Sequence, residues 1–438
     1  MKFIFADSLD YVDPRYDFMS DRSPSNREPY WDDAYPHELL GYAPYDGILV
    51  SRAIVGGYQG GGKYSESQAM RFRRVGAREF LRFSEADYPG SLMFGDCGAF
   101  SYHRQEYPPY SAEEMVDFYG DGRFTHGCSI DHVIFDFAED NDDESIEKSR
   151  LEENRRRFEI TSANAEEFLK ESKRIGNSFS PMGVVQGWSP KSMAESALRL
   201  KKMGYSYIAI GGMVPLRAPQ IKTALEEIRA TVGDEIRIHI LGFAKAEEIA
   251  SFRHLNITSF DTTSPLLRAF KDSNRNYYAL KPEGGLDYYS AIRIPQAIEN
   301  NGLKNLAKQG IYSQEDLQSR EATALASLRA YDRDEIGEEE ALDAVMAYTA
   351  PLAIGRDHGH SPSEIRKLEG IRERYQRTLR DRPWKSCGCE VCSDVGVEVI
   401  IFRASNRNKR RGIHNLQAYH KHLGRIEEAG KNVEEVEI

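Results

Sequence analysis

The stretch Met182-Gly183-Val184-Val185-Gln186-Gly187-Trp188-Ser189-Pro190, with its continuation Tyr205-Ser206-Tyr207-Ile208-Ala209-Ile210-Gly211-Gly212, decides the fold. A short apolar run ends in a polar residue and a glycine, the pattern of a buried strand entering a turn. Ser189 and Pro190 then open a helix, the serine as cap and the proline at the first helical position, where its missing N–H costs nothing. Ala194, Ala197 and Leu198 form the apolar face of that helix, and Gly204 ends it. A second apolar strand follows at once and also ends in glycines. Strands alternating with helices in this way build a parallel sheet.

The same rhythm extends in both directions. Upstream, Leu92-Met93-Phe94 runs into Gly95-Asp96, and His132-Val133-Ile134-Phe135 runs into Asp136. Downstream, Ile221, Leu225, Ile228 and Val232 recur at helical spacing before Gly233. Residues 236–241 then form a strand ending at Gly242, residues 247–252 read as helix, and Thr258-Ser259-Phe260 ends in Asp261. The first strand is expected near residues 48–55, after the Asp46-Gly47 turn, and an eighth strand has no clear signal. Polar residues and glycines at so many strand ends favour a closed barrel, where those ends converge on one face, over an open doubly wound sheet. The expected fold is therefore α/β: a (β/α)8 TIM barrel over residues 1–295, a helical insertion over 296–380, and a C-terminal zinc-binding subdomain with a last helix over 381–438. Residues 397–402 read as a strand inside that last segment.

The zinc expectation rests on Cys387-Gly388-Cys389-Glu390-Val391-Cys392 and His414. Clustered thiolates with one imidazole make a tetrahedral zinc site with no position left for water or substrate, so the metal is structural. His420 and His422 are alternatives to His414. His126, Cys128 and His132 read as a structural cluster rather than a second metal site. Five cysteines, clustered for metal rather than paired, suit a reducing cytoplasm. No apolar run reaches the roughly eighteen residues a membrane span needs.

The net charge of −11, from 58 basic and 69 acidic residues, argues weakly against a nucleic-acid partner. One local exception is the basic run of Arg403, Arg407, Lys409, Arg410 and Arg411, which has no acid within residues 403–414 and is expected to meet phosphates. Gly57 to Lys63 resembles a phosphate-binding loop in its glycine spacing, but Tyr64 stands where a magnesium-binding Ser or Thr is required. A loop at the rim of an active site is the better reading. Asp96, Asp136 and Asp261 fall at three strand ends. Two carboxylates flanking a glycosidic bond are the standard means of breaking it, one attacking the anomeric carbon and the other moving a proton. Cys97 has only His103 nearby in sequence to activate it and is a poor candidate nucleophile.

Several of these segments together resemble the tRNA-guanine transglycosylase superfamily. Gly95-Asp96-Cys97-Gly98-Ala99-Phe100 is similar to its Asp-Ser-Gly-Gly-Phe signature, and Phe135-Asp136 to its base-binding aspartate. Gly183 to Gly187, Ile210-Gly211-Gly212, Phe260-Asp261-Thr262-Thr263-Ser264-Pro265 and the zinc segment follow in the family's order. Cys97, Ala99, Trp188 and Met213 depart from its usual residues. The opening residues 5–14 and the segments 34–37 and 45–50 look like the DNA-acting branch, whose enzymes exchange guanine in DNA for a 7-deazaguanine, usually 7-cyano-7-deazaguanine.

The resemblance implies Asp261 as nucleophile and Asp96 as proton acceptor, with Asp136, Gln186, Gly187, Gly211, Gly212 and Met213 around the base and Phe100 stacked on it. It implies DNA and a 7-deazaguanine as partners, structural zinc as the metal, and a helper protein encoded with the enzyme. A tRNA-acting enzyme, or a non-catalytic nucleic-acid-binding subunit, is the alternative. Retention of both Asp96 and Asp261 weighs against the non-catalytic one.

Overall fold

The structure is a computed structural model that describes the chain apart from residues 8, 57–61, 140–142, 244–245, 354–360 and 437–438. Three glycines of the glycine-rich loop, Gly57, Gly60 and Gly61, lie outside the described residues. The chain divides into two compact units, one of Met1–Asp10 and Tyr45–Ser264, the other of Tyr11–Pro44 and Pro265–Ile438.

The first unit is a closed barrel of eight parallel strands. They are β1 (Lys2–Ala6), β2 (Gly47–Ser51), β3 (Leu92–Asp96), β4 (His126–Cys128), β5 (Ser180–Val185), β6 (Tyr207–Ile210), β7 (Arg237–Ile240) and β8 (Ser259–Asp261). Closure comes from β1 lying beside β8, with Phe3 opposite Phe260 and Ile4 opposite Asp261. Alternation along the strands sends Ile4, Leu49, Phe94, Cys128, Met182, Val184, Tyr207 and Ala209 into one apolar cluster that fills the barrel. Glycine is required where β3 and β4 pass the buried Tyr119, because a Cβ on Gly95 would come within 2.4 Å of its ring and one on Gly127 within 2.6 Å. The helix Pro190–Met203 begins as its sequence predicts, with Ser189 accepting from the Ser192 N–H and Pro190 in the first turn.

Three strand expectations are corrected. The first strand is Lys2–Ala6, not residues 48–55; of the latter, residues up to Ser51 form β2 and Arg52–Gly56 is helical. The strand read at residues 132–135 lies earlier, at His126–Cys128, and the chain from 129 to 138 runs outside the sheet. Residues 397–402 are mostly the 3-10 turn Gly396–Ile400, with Ile401–Phe402 alone pairing, parallel to Ile292–Arg293.

The second unit also redraws the expected domain boundaries. Helices Gln314–Asp332, Glu338–Ala353 and Pro362–Asp381, the Tyr277–Leu280 and Leu286–Tyr289 hairpin, the cysteine segment and the helix Ser405–Val436 belong together. One apolar cluster joins Val12 and Leu40 to Leu328, Val345, Leu379, Trp384, Val399 and Ile413. The helical segment and the zinc segment therefore share a core. Among the described residues, no helix is long and apolar enough to cross a membrane.

Candidate active site

Each barrel strand delivers a residue to one cavity at its C-terminal end. Asp7 follows β1, Ser51 ends β2, Asp96 ends β3, and Asp131 comes shortly after β4. Gln186, Gly211 and Gly242 follow β5, β6 and β7 in the same way, and Asp261 ends β8. This is where the barrel architecture puts its reactive groups.

Asp261 is buried, and its Oδ1 accepts from the Gly242 N–H at 2.9 Å and pairs with His239 Nε2 at 3.1 Å. Oδ2 carries no hydrogen bond among the described residues. His239 Nδ1 lies 2.5 Å from Ser259 Oγ, which in turn lies 2.6 Å from the Tyr207 hydroxyl. With its proton on Nε2, His239 donates to Asp261 and accepts from Ser259. The chain of hydroxyls and imidazole thus holds the carboxylate in one orientation.

Asp96 sits opposite Ser51 in the β2–β3 register. Burial pushes its pKa up to about 7; the Ser51 hydroxyl opposes that rise, and the charges of Asp261 and Asp131 add to it. Its Oδ1 is shielded from solvent and has no hydrogen-bond partner among the described residues. A carboxyl that gains and loses its proton near neutrality is suited to general acid–base work.

Asp131 takes the Gln186 Nε2 donor on Oδ2 at 2.7 Å and the Cys97 thiol on Oδ1 at 3.3 Å. Burial raises its pKa to about 6, with both donors opposing. Gln186 Oε1 accepts from the Ile134 N–H at 3.1 Å, so its amide is held at both ends. The glycine at 211 makes room for that amide, since a Cβ there would lie 2.3 Å from Gln186 Nε2. Asp7 accepts from the Tyr64 hydroxyl at 2.9 Å and the Leu9 N–H at 3.1 Å. Burial and the charge of Asp10 lift its pKa to about 7. Burial also pushes the Cys97 thiol well above its ordinary range, which removes it as a thiolate nucleophile.

Of the sequence-predicted residues, Asp96, Asp261, Gln186, Gly211, Gly212 and Phe100 line this cavity. Phe100 is half exposed at its edge, with its ring 5.7 Å from that of Phe135. Gly187 packs instead against the start of the following helix, where a Cβ would lie 2.7 Å from the Met193 N. Met213 is buried and does not line the cavity. Asp136 is displaced from its expected place: it is held by Arg150 and by Asn154 Nδ2 at 3.0 Å, and the aspartate in the cavity is Asp131. Sequence reasoning missed Asp7, Asp131, Ser51 and His239. Asp7 carries the same signal as the others, an apolar run ending in an acid at Lys2–Ala6.

In the second unit, Cys387, Cys389, Cys392 and His414 bring their ligand atoms within 4.8 Å of one another. His414 Nδ1 lies 3.5, 3.4 and 3.4 Å from the three sulfurs. A tetrahedral zinc with Zn–S of about 2.3 Å and Zn–N of about 2.0 Å requires S···N edges of about 3.5 Å. The cluster therefore has the dimensions of a bound zinc ion. His414 Nε2 faces the Tyr278 carbonyl at 2.7 Å, which fixes the tautomer that leaves Nδ1 free to ligate.

The basic run is not presented to phosphate. Arg403, Arg407, Arg410 and Arg411 are 7%, 0%, 1% and 0% exposed. Arg403 pairs with Asp21 and Glu321, Arg407 with Asp21 and Glu398, and Arg410 with Asp394. Arg411 donates to the carbonyls of Val399, Ile401 and Ala269, and the Lys409 ammonium donates to the Tyr11 carbonyl at 2.9 Å. The acids missing from the local sequence arrive from residues 13–21, 321 and 394–398, and the run is a scaffold within its unit.

A closed parallel barrel whose strand ends bring four carboxylates to one cavity defines a βα-barrel enzyme. A DNA-guanine transglycosylase from Salmonella montevideo is 41% identical over 424 residues, 97% of this chain and 96% of that one. The chain belongs to this DNA-guanine transglycosylase family and is a pentosyltransferase. No family model matches it.

Proposed function

We propose that the protein replaces guanine in DNA with a 7-deazaguanine, 7-cyano-7-deazaguanine in the first instance, through a covalent glycosyl–Asp261 intermediate. The observation that carries this reading is the pairing of Asp96 and Asp261 in one cavity, one a carboxyl that holds its proton near neutrality, the other a carboxylate oriented by His239 and Gly242. A target guanine must first leave the stack, at a cost of a few kcal/mol. Asp131, ionised above about pH 6, accepts from the N1–H and 2-amino edge of the base while Gln186 holds Asp131 in place. Phe100 offers its exposed ring to the base face.

Asp261 Oδ2 attacks C1′, the C1′–N9 bond breaks, and Asp96 gives its proton to the departing guanine. The 7-deazaguanine enters, its N9–H proton passes to the Asp96 carboxylate, and N9 displaces Asp261 from C1′. The proton count is restored and the two displacements return the original anomeric configuration. Zinc on Cys387, Cys389, Cys392 and His414 stabilises the second unit and takes no part in these steps.

The test is incorporation of labelled 7-cyano-7-deazaguanine by purified protein into plasmid DNA and into bulk tRNA. Label in DNA, abolished by Asp261→Ala in a protein of unchanged thermal midpoint, supports the reading. Label in tRNA alone, or normal exchange by Asp261→Ala, overturns it.

A further inference from the structure

With the 403–411 run buried, an acidic chain still needs cations for a polyanionic substrate. A separate hollow in the second unit supplies them. It is lined by Asn274, Arg275, Tyr288, Tyr289, Arg374 and Arg377, among others. Arg377 is committed to structure: it pairs with Asp287 at 2.5 Å, approaches Asp381 at 3.7 Å and lies 4.4 Å over the Tyr289 ring. Arg275 and Arg374 differ. The exposed Arg275 guanidinium lies 4.1 Å over the Tyr288 ring and has no carboxylate partner among the described residues. Arg374 has no ion pair or side-chain hydrogen bond among them either.

Stacking engages the face of a guanidinium and leaves its in-plane N–H groups unspent, and those donors match phosphate oxygens. Most other arginines of this unit are already tied to acids or carbonyls, so two unpaired guanidiniums opening on one hollow stand out against that background. We propose that this hollow binds the phosphodiester backbone of a single DNA strand, with Arg275 and Arg374 each meeting one phosphate. The inference rests on the DNA reading above and adds the surface that holds the strand. A single strand is the occupant because a base outside the duplex reaches the enzyme without the cost of unpairing.

The experiment uses the full-length, metal-loaded chain and a short fluorescein-labelled single-stranded oligodeoxynucleotide, with binding read by anisotropy across a salt series. Each phosphate neutralised on a single strand contributes about −0.7 to the slope of log K against log salt, so Arg275→Ala/Arg374→Ala should flatten the slope by about 1.4 and weaken binding about tenfold near physiological salt. Arg275→Lys/Arg374→Lys should keep the slope, because the charges remain, while losing part of the affinity. Wild-type affinity and slope in the alanine double variant overturn the proposal. So does a lysine variant as flat as the alanine variant, which would mark the arginines as structural. Base exchange into DNA, run on the same proteins, separates the two readings. If the wild type labels DNA but the slope does not change, only the hollow fails; if the wild type neither labels nor binds DNA, both fail.

Discussion

Ser51→Ala should move the pH optimum of base exchange. Ser51 and Asp96 face each other across the β2–β3 ladder, which sets the Ser51 hydroxyl to donate to the Asp96 carboxylate when that is ionised. That bond favours the charged form and partly offsets the burial that lifts the Asp96 pKa to about 7. A hydrogen bond to a charged group is worth about 1.5–3 kcal/mol, and 1.36 kcal/mol corresponds to one pH unit. At the lower end of that range, loss of the bond should raise the Asp96 pKa by about one unit. In the proposed cycle exchange requires ionised Asp131 and protonated Asp96, so the wild-type rate rises through about pH 6 and falls through about pH 7. The two limbs belong to a coupled set of acids rather than to isolated groups. Removing the hydroxyl stabilises the protonated form of Asp96, so the alkaline limb should shift upward by about one unit while the acidic limb stays in place. The assay is kcat/KM for the DNA, read by labelled-base incorporation at saturating base across this range, because that quantity reports the first displacement, in which Asp96 must carry its proton. An unchanged alkaline limb, or a shift to lower pH, refutes the assignment of that limb to Asp96.

Asp131→Asn should raise KM for the base and blunt the acidic limb, whereas Asp136→Asn, which loses only the Arg150 and Asn154 contacts, should leave exchange within a few-fold of wild type; steady-state kinetics of both variants decide between the two aspartates. Asp7→Asn should stabilise the protein at alkaline pH. The Asp7 pKa rises from 3.8 to about 7 on folding, so its favourable contribution is present below pH 4 and is lost as pH climbs through 7; about 4 kcal/mol is the upper bound recovered, read as a higher thermal midpoint at pH 8.5 and little change at pH 4. Stripping the metal with a strong chelator should release zinc and lower the thermal midpoint, because structural zinc sites contribute about 10–16 kcal/mol of apparent binding energy to the folded state. A metal-free protein with an unchanged midpoint would show that the four ligands hold nothing needed for folding.

The barrel was legible in the chain because a buried parallel strand has a local signature: an apolar run that ends in a polar residue or glycine, followed by a capped helix. Five of the eight strands, β3 and β5 to β8, lie where that signature puts them. The same rule brings Asp96, Gln186 and Asp261 to one cavity, since a residue at a strand end has its position set by the strand. The cluster of Cys387, Cys389, Cys392 and His414, which has the geometry to hold a metal, is legible because thiolate and imidazole chemistry is written in residue type and spacing. Where backbone pairing ends, local pattern ceases to locate a side chain. β4 is only His126–Cys128, and the apolar run at 132–135 that imitates a strand lies outside the sheet, so Asp136 does not fall at a strand end, whereas Asp131 lines the cavity. The run at 403–411 has no acid within it, yet its partners Asp21, Glu321 and Glu398 come from distant segments. Whether a charge faces solvent or a partner is a property of packing between segments far apart in the chain. For the same reason tertiary structure alone decided that residues 11–44 join the C-terminal half.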